Sequence, residues 1–456
     1  MDEIFENPKR MKSIEAIAAE LQGYDPQALS VPMVNAFLQQ LVAPVTQTST
    51  VGIFDALGRV LAQDVISPIS VPPHDNSAMD GFAFNGTALA AQTPLTLKVV
   101  GTALAGKAWT GTVKPEECVK IMTGAIMPQG LDTVVPQEFV TLNGDAITLP
   151  AGLLKAGDNR RKLGEDLMQG QAALRKGELL TPAAMGLLAS LGISEVVVFR
   201  KLRVAYFSTG DEILSLGEAP REGAVFDSNR YTVWGLLTRM GCEVIDMGVV
   251  RDEPALLEAA FVDAASKADA IITSGGVSVG EADYTKAMMK KLGDVAFWRI
   301  AMRPGRPMAV GRIVNAKSDP AAQKTCVRSS QKESNFSSDS AILFGLPGNP
   351  VAVMVTFLAF VRPALLQMMG STRLPPPLLK ARSLEAIRKK PGRTEYQRGT
   401  VSTALDGSLQ VQTTGNQGSG VLSSMVQANG LIVLHHAQGN VALGDEVDVM
   451  VFDGVI

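Results

Sequence analysis

Between residues 271 and 286 the chain reads IITSGGVSVGEADYTK, a stretch that gathers groups able to hold an anion beside groups able to hold a cation. A β-branched run, Ile271 to Thr273, meets Gly275 and Gly276, after which Gly280, Glu281 and Asp283 open a helical pattern. Glycines let backbone N–H groups approach a ligand closely, Ser274 and Ser278 add hydroxyls, and the following helix turns its positive end towards an anion. A phosphate suits such a turn. Two carboxylates beside a phosphate repel it unless a cation lies between, so Glu281 and Asp283 add a divalent metal to the expectation. The plain alternative is a strand-to-helix loop whose acids favour the first helical turn. Neither GxxxxGK[ST] nor GxGxxG is present in this stretch, so it matches neither common nucleotide motif.

Further chemistry-bearing residues recur at comparable places. Asp211 and Glu212 follow YFSTG, Asp252 follows GVVR, and Glu281 and Asp283 follow ITSGG, each just after a strand-like run. Acids after three successive strands point to one cation site, although Asp252 also reads as an N-cap ahead of Pro254. Arg299, Arg303 and Arg306 lie in VAFWRIAMRPGRPMAVGRI, two strand-like runs joined by RPGRP, and can line a crevice edge for oxyanions. In SPISVPPHDNSAMDGFAF, Asp75 and Asp80 flank Asn76 and Ser77; they either converge on one ligand or build Asx turns. Thr123 in IMTGA has an ordinary explanation in strand propensity. The cluster NRRKLGED at 159–166 is either solvated charge or an anion contact.

The elements that must position these residues follow from pattern and size. At 456 residues the chain exceeds one core, and 46% apolar against 19% charged residues with a formal net charge of −3 describes a soluble globular protein without a basic face. Nucleic acid is not an expected partner. Three cysteines, Cys118, Cys242 and Cys326, are widely spaced and odd in number, which fits a reducing cytoplasm better than a disulfide framework. With His74, His435 and His436 as the only histidines, carboxylates, arginines and backbone must carry the chemistry. MDEIFENPKR is acidic where a signal peptide is basic and then apolar. The longest apolar run, Val351 to Val361, falls short of the ~20 residues that span a bilayer and ends at Arg362 and Pro363, so it predicts a buried helix and no membrane.

Residues 1–30 are polar and mixed and form an extension, with a short helix expected at Ser13 to Leu21 and a turn at Gly23 to Pro26. Helical spacing in VNAFLQQLV and FDALGRVLAQDV, with TPAAMGLLASLG further on, predicts a discontinuous helical domain over 31–66 and 168–199. Between its halves, 67–167 alternates with turn signals and predicts an inserted β domain. From 200 to 373 strands and helices alternate, which predicts a central, mostly parallel α/β sheet domain whose ligands bind beyond the carboxyl ends of the strands. A polar, serine-rich excursion at 315–340 interrupts it. Residues 374–456 carry short β runs and predict a C-terminal β barrel.

DNSAMDG, IMTGA, STGDE, SGGVSVGEADYTK and GLPGNP occur in this order, and together they resemble the molybdopterin molybdenumtransferases, the family that includes the gephyrin E domain. The resemblance covers roughly 31–456. It implies a molybdopterin-binding type α/β domain and a reaction in which molybdate and adenylylated molybdopterin give molybdenum cofactor with release of AMP. It further implies magnesium held by Asp80, Glu212, Asp252 and Asp283, with Thr123 as a further catalytic contact. Ser274, Gly275, Gly276 and Ser278 would receive the terminal phosphate, and Pro347, Gly348, Asn349 and Pro350 would shape the same site. Arg299, Arg303 and Arg306 would gather molybdate, standing where lysines are common in the family. PGRTEYQRG and TTGNQGSG resemble the family's C-terminal domain and add Arg398 and Ser419. A cytoplasmic homodimer is implied, with a molybdopterin adenylyltransferase and molybdoenzyme maturation proteins as partners. An adenylyltransferase-like enzyme, a nucleotide hydrolase and a non-catalytic scaffold of the same fold are the competing functions.

Overall fold

The computed structural model describes residues 12–91, 93–276, 284–314, 340–373 and 375–452. Its centre is a six-stranded sheet in the spatial order Glu243–Val250, Arg203–Thr209, Ala270–Ser274, Ser340–Leu346, Pro307–Val314 and Gly293–Arg299. The first four strands run parallel and the last two are antiparallel. Successive side chains divide between the faces, as a period of two requires. Ala205 and Phe207 meet Ala260, Phe261, Ala264 and Met289 of the helices Pro254–Lys267 and Tyr284–Leu292, while Val204 and Tyr206 join a second core with Val233, Leu236 and Leu237 of the helix Ser228–Arg239. Both faces are therefore covered, which explains why Ala270–Ser274 is buried along its whole length.

The apolar run after GLPGNP forms a core helix, and it extends past the expected stop. An α segment Pro350–Thr356, a π turn Phe357–Val361 and a further α segment Arg362–Met368 are continuous. Pro363 has no N–H to give, and the wider turn before it, in which Arg362 N–H reaches Phe357 O, accommodates that loss without ending the helix. At 19 residues the whole is long and apolar enough to cross a membrane, yet 78% of it is buried inside the fold.

One further expectation is corrected. FDALGRVLAQDV does not form a helix: Ile53–Asp55 is a single 3-10 turn, Gly58 takes φ +72°, and Val60 and Leu61 bridge to Leu179 and Val198. The apolar spacing there serves cross-chain pairing, alongside Thr48–Gly52 with Glu195–Phe199 and Val65–Ile66 with Ala172–Leu174. This lobe thus mixes short strands with the helix Pro182–Ser190, whereas Val34, Phe37, Leu38 and Leu41 of the helix Val31–Leu41 pack in the core shared with the central sheet. The extension, within its described residues, is ordered: Ile14–Glu20 is a helix capped by Ser13, and Ile14 and Ile17 are buried.

The inserted region is a second six-stranded sheet, with Phe82, Phe84 and Val135 on one face and Ala83, Val119 and Val134 on the other. In the C-terminal region Thr394–Thr403 pairs with both Leu409–Thr413 and Gly430–Leu434, so five strands close into a barrel. Closure is tight at Gly399, where a Cβ would lie 2.9 Å from Val411 and 3.0 Å from Ile432.

The excursion at 315–340 lies, up to residue 339, outside the described residues, but its flanks are defined: Val314 pairs directly with Ser340. Deleting residues 318–338 leaves a short connection between paired positions, and shortening a loop to that degree favours closure by about 1–2 kcal/mol. The variant is expected to melt cooperatively at the wild-type midpoint or slightly above it. Loss of the cooperative transition would show that the segment contributes to the core.

Candidate functional site

Four parallel strands end at Thr209, Val250, Ser274 and Leu346, and the loops that follow are forced together. Gly275, at φ +90°, donates its N–H to Leu346 O at 3.2 Å, and a Cβ on it would sit 2.4 Å from Thr209 O. Gly276, at φ +63°, would place a Cβ 2.6 Å from the Thr285 side chain. No other residue type fits this turn without displacing backbone. A Cβ on Gly348 would come within 4.0 Å of Gly275, so the turn and the GLPGNP motif share one crevice. Pro347 is buried beneath it, whereas Gly348 and Asn349 are exposed and Pro350 opens the core helix.

Two further segments reach this crevice. Asn349 Nδ2 donates to Ser419 Oγ at 3.0 Å and Val351 N–H to Ser419 O at 3.1 Å, which attaches a barrel loop to the PGNP turn. Gly305, within RPGRP, would put a Cβ 2.3 Å from Thr356 Oγ1, so the arginine loop lies against the first turns of the same helix. Arg299, Arg303 and Arg306 are all exposed there. Nearby positive charge from Arg303, secondary to burial, holds the Arg398 guanidinium below its ordinary pKa, which places Arg303 beside the barrel loop.

Acidic residues occupy the other loops. The Glu212 carboxylate rests against Gly210, where a Cβ would lie 2.6 Å from Oε2, and Asp252 N–H donates to Asp211 Oδ1 at 3.3 Å. Thr285 Oγ1 reaches Asp252 Oδ1 at 3.5 Å, drawing the first helical turn after the glycines towards the same acid. Ser278, Glu281 and Asp283 lie outside the described residues. Asp80 and Thr123 stand in the inserted region, where Asp80 Oδ1 accepts from Thr123 N–H at 2.7 Å and from Thr123 Oγ1 at 2.8 Å. Among the described residues no three His, Cys, Asp or Glu side chains are grouped to hold a metal ion. The expected set of four carboxylates is thus not assembled by the described part of one chain.

Several residues take roles other than those expected of them. Ser274 is buried, and its Oγ lies 2.7 Å from Tyr206 Oη and 3.2 Å from Ser208 Oγ, so it braces the glycine turn from beneath instead of facing a ligand. Arg398 is fully buried: Nε donates to Ser424 Oγ at 2.9 Å, and the Nη atoms donate to the carbonyls of Asn416, Gln417 and Gly418. It shapes the loop that carries Ser419, and it has no surface left for an anion. Asp75 builds its loop, accepting from Leu163 N–H at 2.8 Å and pairing with Arg160 at 3.6 Å, which also accounts for one arginine of the NRRKLGED cluster. Sequence reasoning passed over Asp227 and Asn229. Asn229 Nδ2 donates to Gly348 O at 2.7 Å, and Asp227 Oδ2 and Asn229 Oδ1 are buried without a partner among the described residues. In sequence they show only as an ordinary helix start.

Known proteins resemble this chain in sequence and fold. Three family signatures match in succession: MoeA N-terminal region (domain I and II) over 29–192, probable molybdopterin binding domain over 205–367, and MoeA C-terminal region (domain IV) over 380–452. A molybdopterin molybdenumtransferase of Haemophilus influenzae is 42% identical over 423 residues, 92% of this chain and 98% of that protein. One from Nostoc is 34% identical over 412 residues, 88% of each. A crystal structure of a molybdopterin biosynthesis moeA protein from Pyrococcus horikoshii matches with a TM-score of 0.74 at 24% identity, covering 93% of this chain and all of that one. A second Pyrococcus moeA crystal structure matches with a TM-score of 0.66 at 29% identity, covering 93% and 99%.

The Thr123 backbone N–H and then its hydroxyl hold the Asp80 carboxyl below the ordinary aspartate range, so Asp80 stays charged to lower pH than a free aspartate. That contribution is present above the unfolded pKa and is lost as pH falls through the folded one. Replacing Thr123→Val removes the hydroxyl and keeps the N–H. The Asp80 titration, followed by the 13C shift of its carboxyl carbon, is expected to move upward yet remain below the free value; an unchanged midpoint would mean that the hydroxyl does not donate to Asp80.

Proposed function

The chain belongs to the molybdopterin molybdenumtransferase family, transferases of molybdenum-cofactor biosynthesis, and from that premise we propose that it converts molybdate and adenylylated molybdopterin into molybdenum cofactor with release of AMP. The observation that carries this reading is the convergence of the glycine turn, the PGNP turn, the acids and the arginine loop on one crevice. The substrate contains a phosphoanhydride, so it needs donors for phosphate oxygens and compensation for several negative charges. Gly275 and Gly276 offer a turn in which backbone can approach the terminal phosphate. Arg303 and Arg306, exposed on a loop held against the core helix, suit the gathering of molybdate, and Arg299 lies at the foot of the same loop.

The donor set also fits a hard cation. Asp211 and Glu212 are exposed carboxylates, Asp252 adjoins Asp211, and no soft sulfur or imidazole ligand lies among the site residues. Glu212, Asp252 and Asp283, with Asp80, would hold magnesium. Bound there, it would neutralise the anhydride oxygens and make AMP a better leaving group. The chain's own residues orient the substrate, and no side-chain nucleophile is required. Because Asp80 and Thr123 bond to each other in the inserted region, we further propose a homodimer in the cytoplasm in which that pair completes the crevice of the other subunit.

Molybdenum insertion by purified protein, measured against magnesium concentration, tests the reaction. Asp252→Asn and Asp283→Asn are each expected to lower insertion by at least about 100-fold at limiting magnesium, the scale on which lost transition-state charge compensation is felt, with melting midpoints near wild type. Near-normal insertion at limiting magnesium would remove the carboxylates from the mechanism. Mixing Asp80→Ala subunits with Glu212→Gln subunits separates the two placements of Asp80. If the crevice is shared, mixed dimers regain one intact site and activity returns; if each chain completes its own, mixing restores nothing.

A further inference from the structure

We propose that residues 12–29 are a strap that positions the arginine segment 299–306, so that oxyanion affinity at the crevice depends on a chain segment outside it. This rests on the function proposed above and deepens it. Gly293–Arg299 is the edge strand of the central sheet, and an uncovered edge leaves alternate N–H and C=O groups unpaired. At the end of that edge the strap pairs with the segment leading into the arginine loop: Arg299 N–H donates to Pro26 O at 2.8 Å, Leu29 N–H to Arg299 O at 3.2 Å, and Ala301 N–H to Leu29 O at 2.8 Å. Leu29 and Ile300 form a parallel bridge. On its other side the same segment is held by the barrel, Thr394 N–H donating to Ala301 O at 2.9 Å, and Ile300 N–H closes the loop onto Arg306 O at 2.7 Å. The foot of the arginine loop is thus clamped between strap and barrel.

The strap is in turn fastened by side chains of the two strands that carry the loop. Asp294 accepts from Ile14 N–H at 3.0 Å, Trp298 Nε1 donates to Tyr24 Oη at 2.9 Å, and the buried Arg312 donates to Lys12 O at 2.6 Å and Leu41 O at 2.7 Å. Ile17 and Leu29 are buried, and Phe37 sits between Tyr24 and Trp298 at ring separations of 6.0 and 4.9 Å. The family's N-terminal signature begins at residue 29, so almost the whole strap precedes it. Exposed arginines lose conformational freedom when they bind an oxyanion, and a backbone already fixed reduces what remains to be lost.

The test compares the full chain, a Tyr24→Phe, Asp294→Ala double variant and a chain lacking residues 1–29. Molybdate binding and binding of adenylylated molybdopterin are measured by calorimetry, and hydrogen exchange is followed at the amides of Arg299 and Ala301. Truncation is expected to weaken molybdate about tenfold, equivalent to ~1.4 kcal/mol, and the double variant roughly two- to threefold. Pterin affinity should hold within about twofold while both amides exchange faster. Protection that persists, deprotection with unchanged molybdate affinity, or equal weakening of both ligands overturns the strap's role. If the truncated chain does not fold, the double variant decides by the same readouts. Failure of the unaltered protein to bind molybdate would instead overturn the functional reading on which the strap rests.

Discussion

Backbone-to-backbone contact at the carboxyl ends of the central strands is the constraint on which the crevice depends. Where Gly275 meets Thr209 O there is room for a hydrogen and nothing larger, and Gly348 adjoins Gly275 on its other side. Three loops from three strands are therefore fitted together without intervening side chains, so none can shift alone. What lies beneath reinforces the fit. Tyr206, Ser208 and Ser274 form a buried hydroxyl cluster directly under the turn, and burial pushes the Tyr206 phenol well above its ordinary pKa, which keeps it a neutral hydrogen-bonding group. Asn229 holds the Gly348 carbonyl from the neighbouring helix. A site made of backbone gains its precision from such a supporting layer.

Charge around the crevice follows topology. Acids come after the parallel strands: Asp252 stands at the start of Pro254–Lys267, where a carboxylate is favoured, whereas Asp211 and Glu212 lead into the short strand Ile213–Leu214. The arginines come from the antiparallel edge, on a loop tethered to sheet, core helix, barrel and strap. Arg299, Arg303 and Arg306 form no ion pair among the described residues. Arg398 illustrates the contrary use of the same side chain. A guanidinium taken fully out of water must have its donors satisfied, and its bonds to three successive carbonyls turn that requirement into a scaffold for the Ser419 loop.

Legibility in the sequence follows the range of the forces involved. Strand and helix alternation over 203–292, the RPGRP turn between two strands and the closing β runs are set by local pattern, and they appear as read. Phe54 to Val65 misleads because its apolar spacing is helical by count, while its partners are Leu179 and Val198, more than a hundred residues away. In the extension the short helix Ile14–Glu20 was legible, but what it packs against was not. Ile14, Ile17 and Leu29 become informative only once Asp294, Trp298 and Arg312 are brought beside them. The glycine turn was legible because few residue types can adopt its backbone; Asp227 and Asn229 were not, since a helix start uses the same residues for ordinary capping.

Ser274 and Arg398 share a further lesson about motifs. Both lie within segments whose residues point to ligand chemistry, and both are turned inward, the serine because Ser208 and Ser274 are register neighbours on one face of the sheet and the arginine because its strand is a wall of a closed barrel. The crevice atoms they position belong to other residues: the backbone at Gly275 and Gly276, and the Ser419 hydroxyl bonded to Asn349. A side chain of this kind affects chemistry through shape. Its removal acts first on the positions of loops and only then on charge. The crevice thus consists of an outer set of charges whose types matter and an inner set of hydrogen bonds whose lengths matter, and the glycine contacts at 275 and 348 are where the two sets meet.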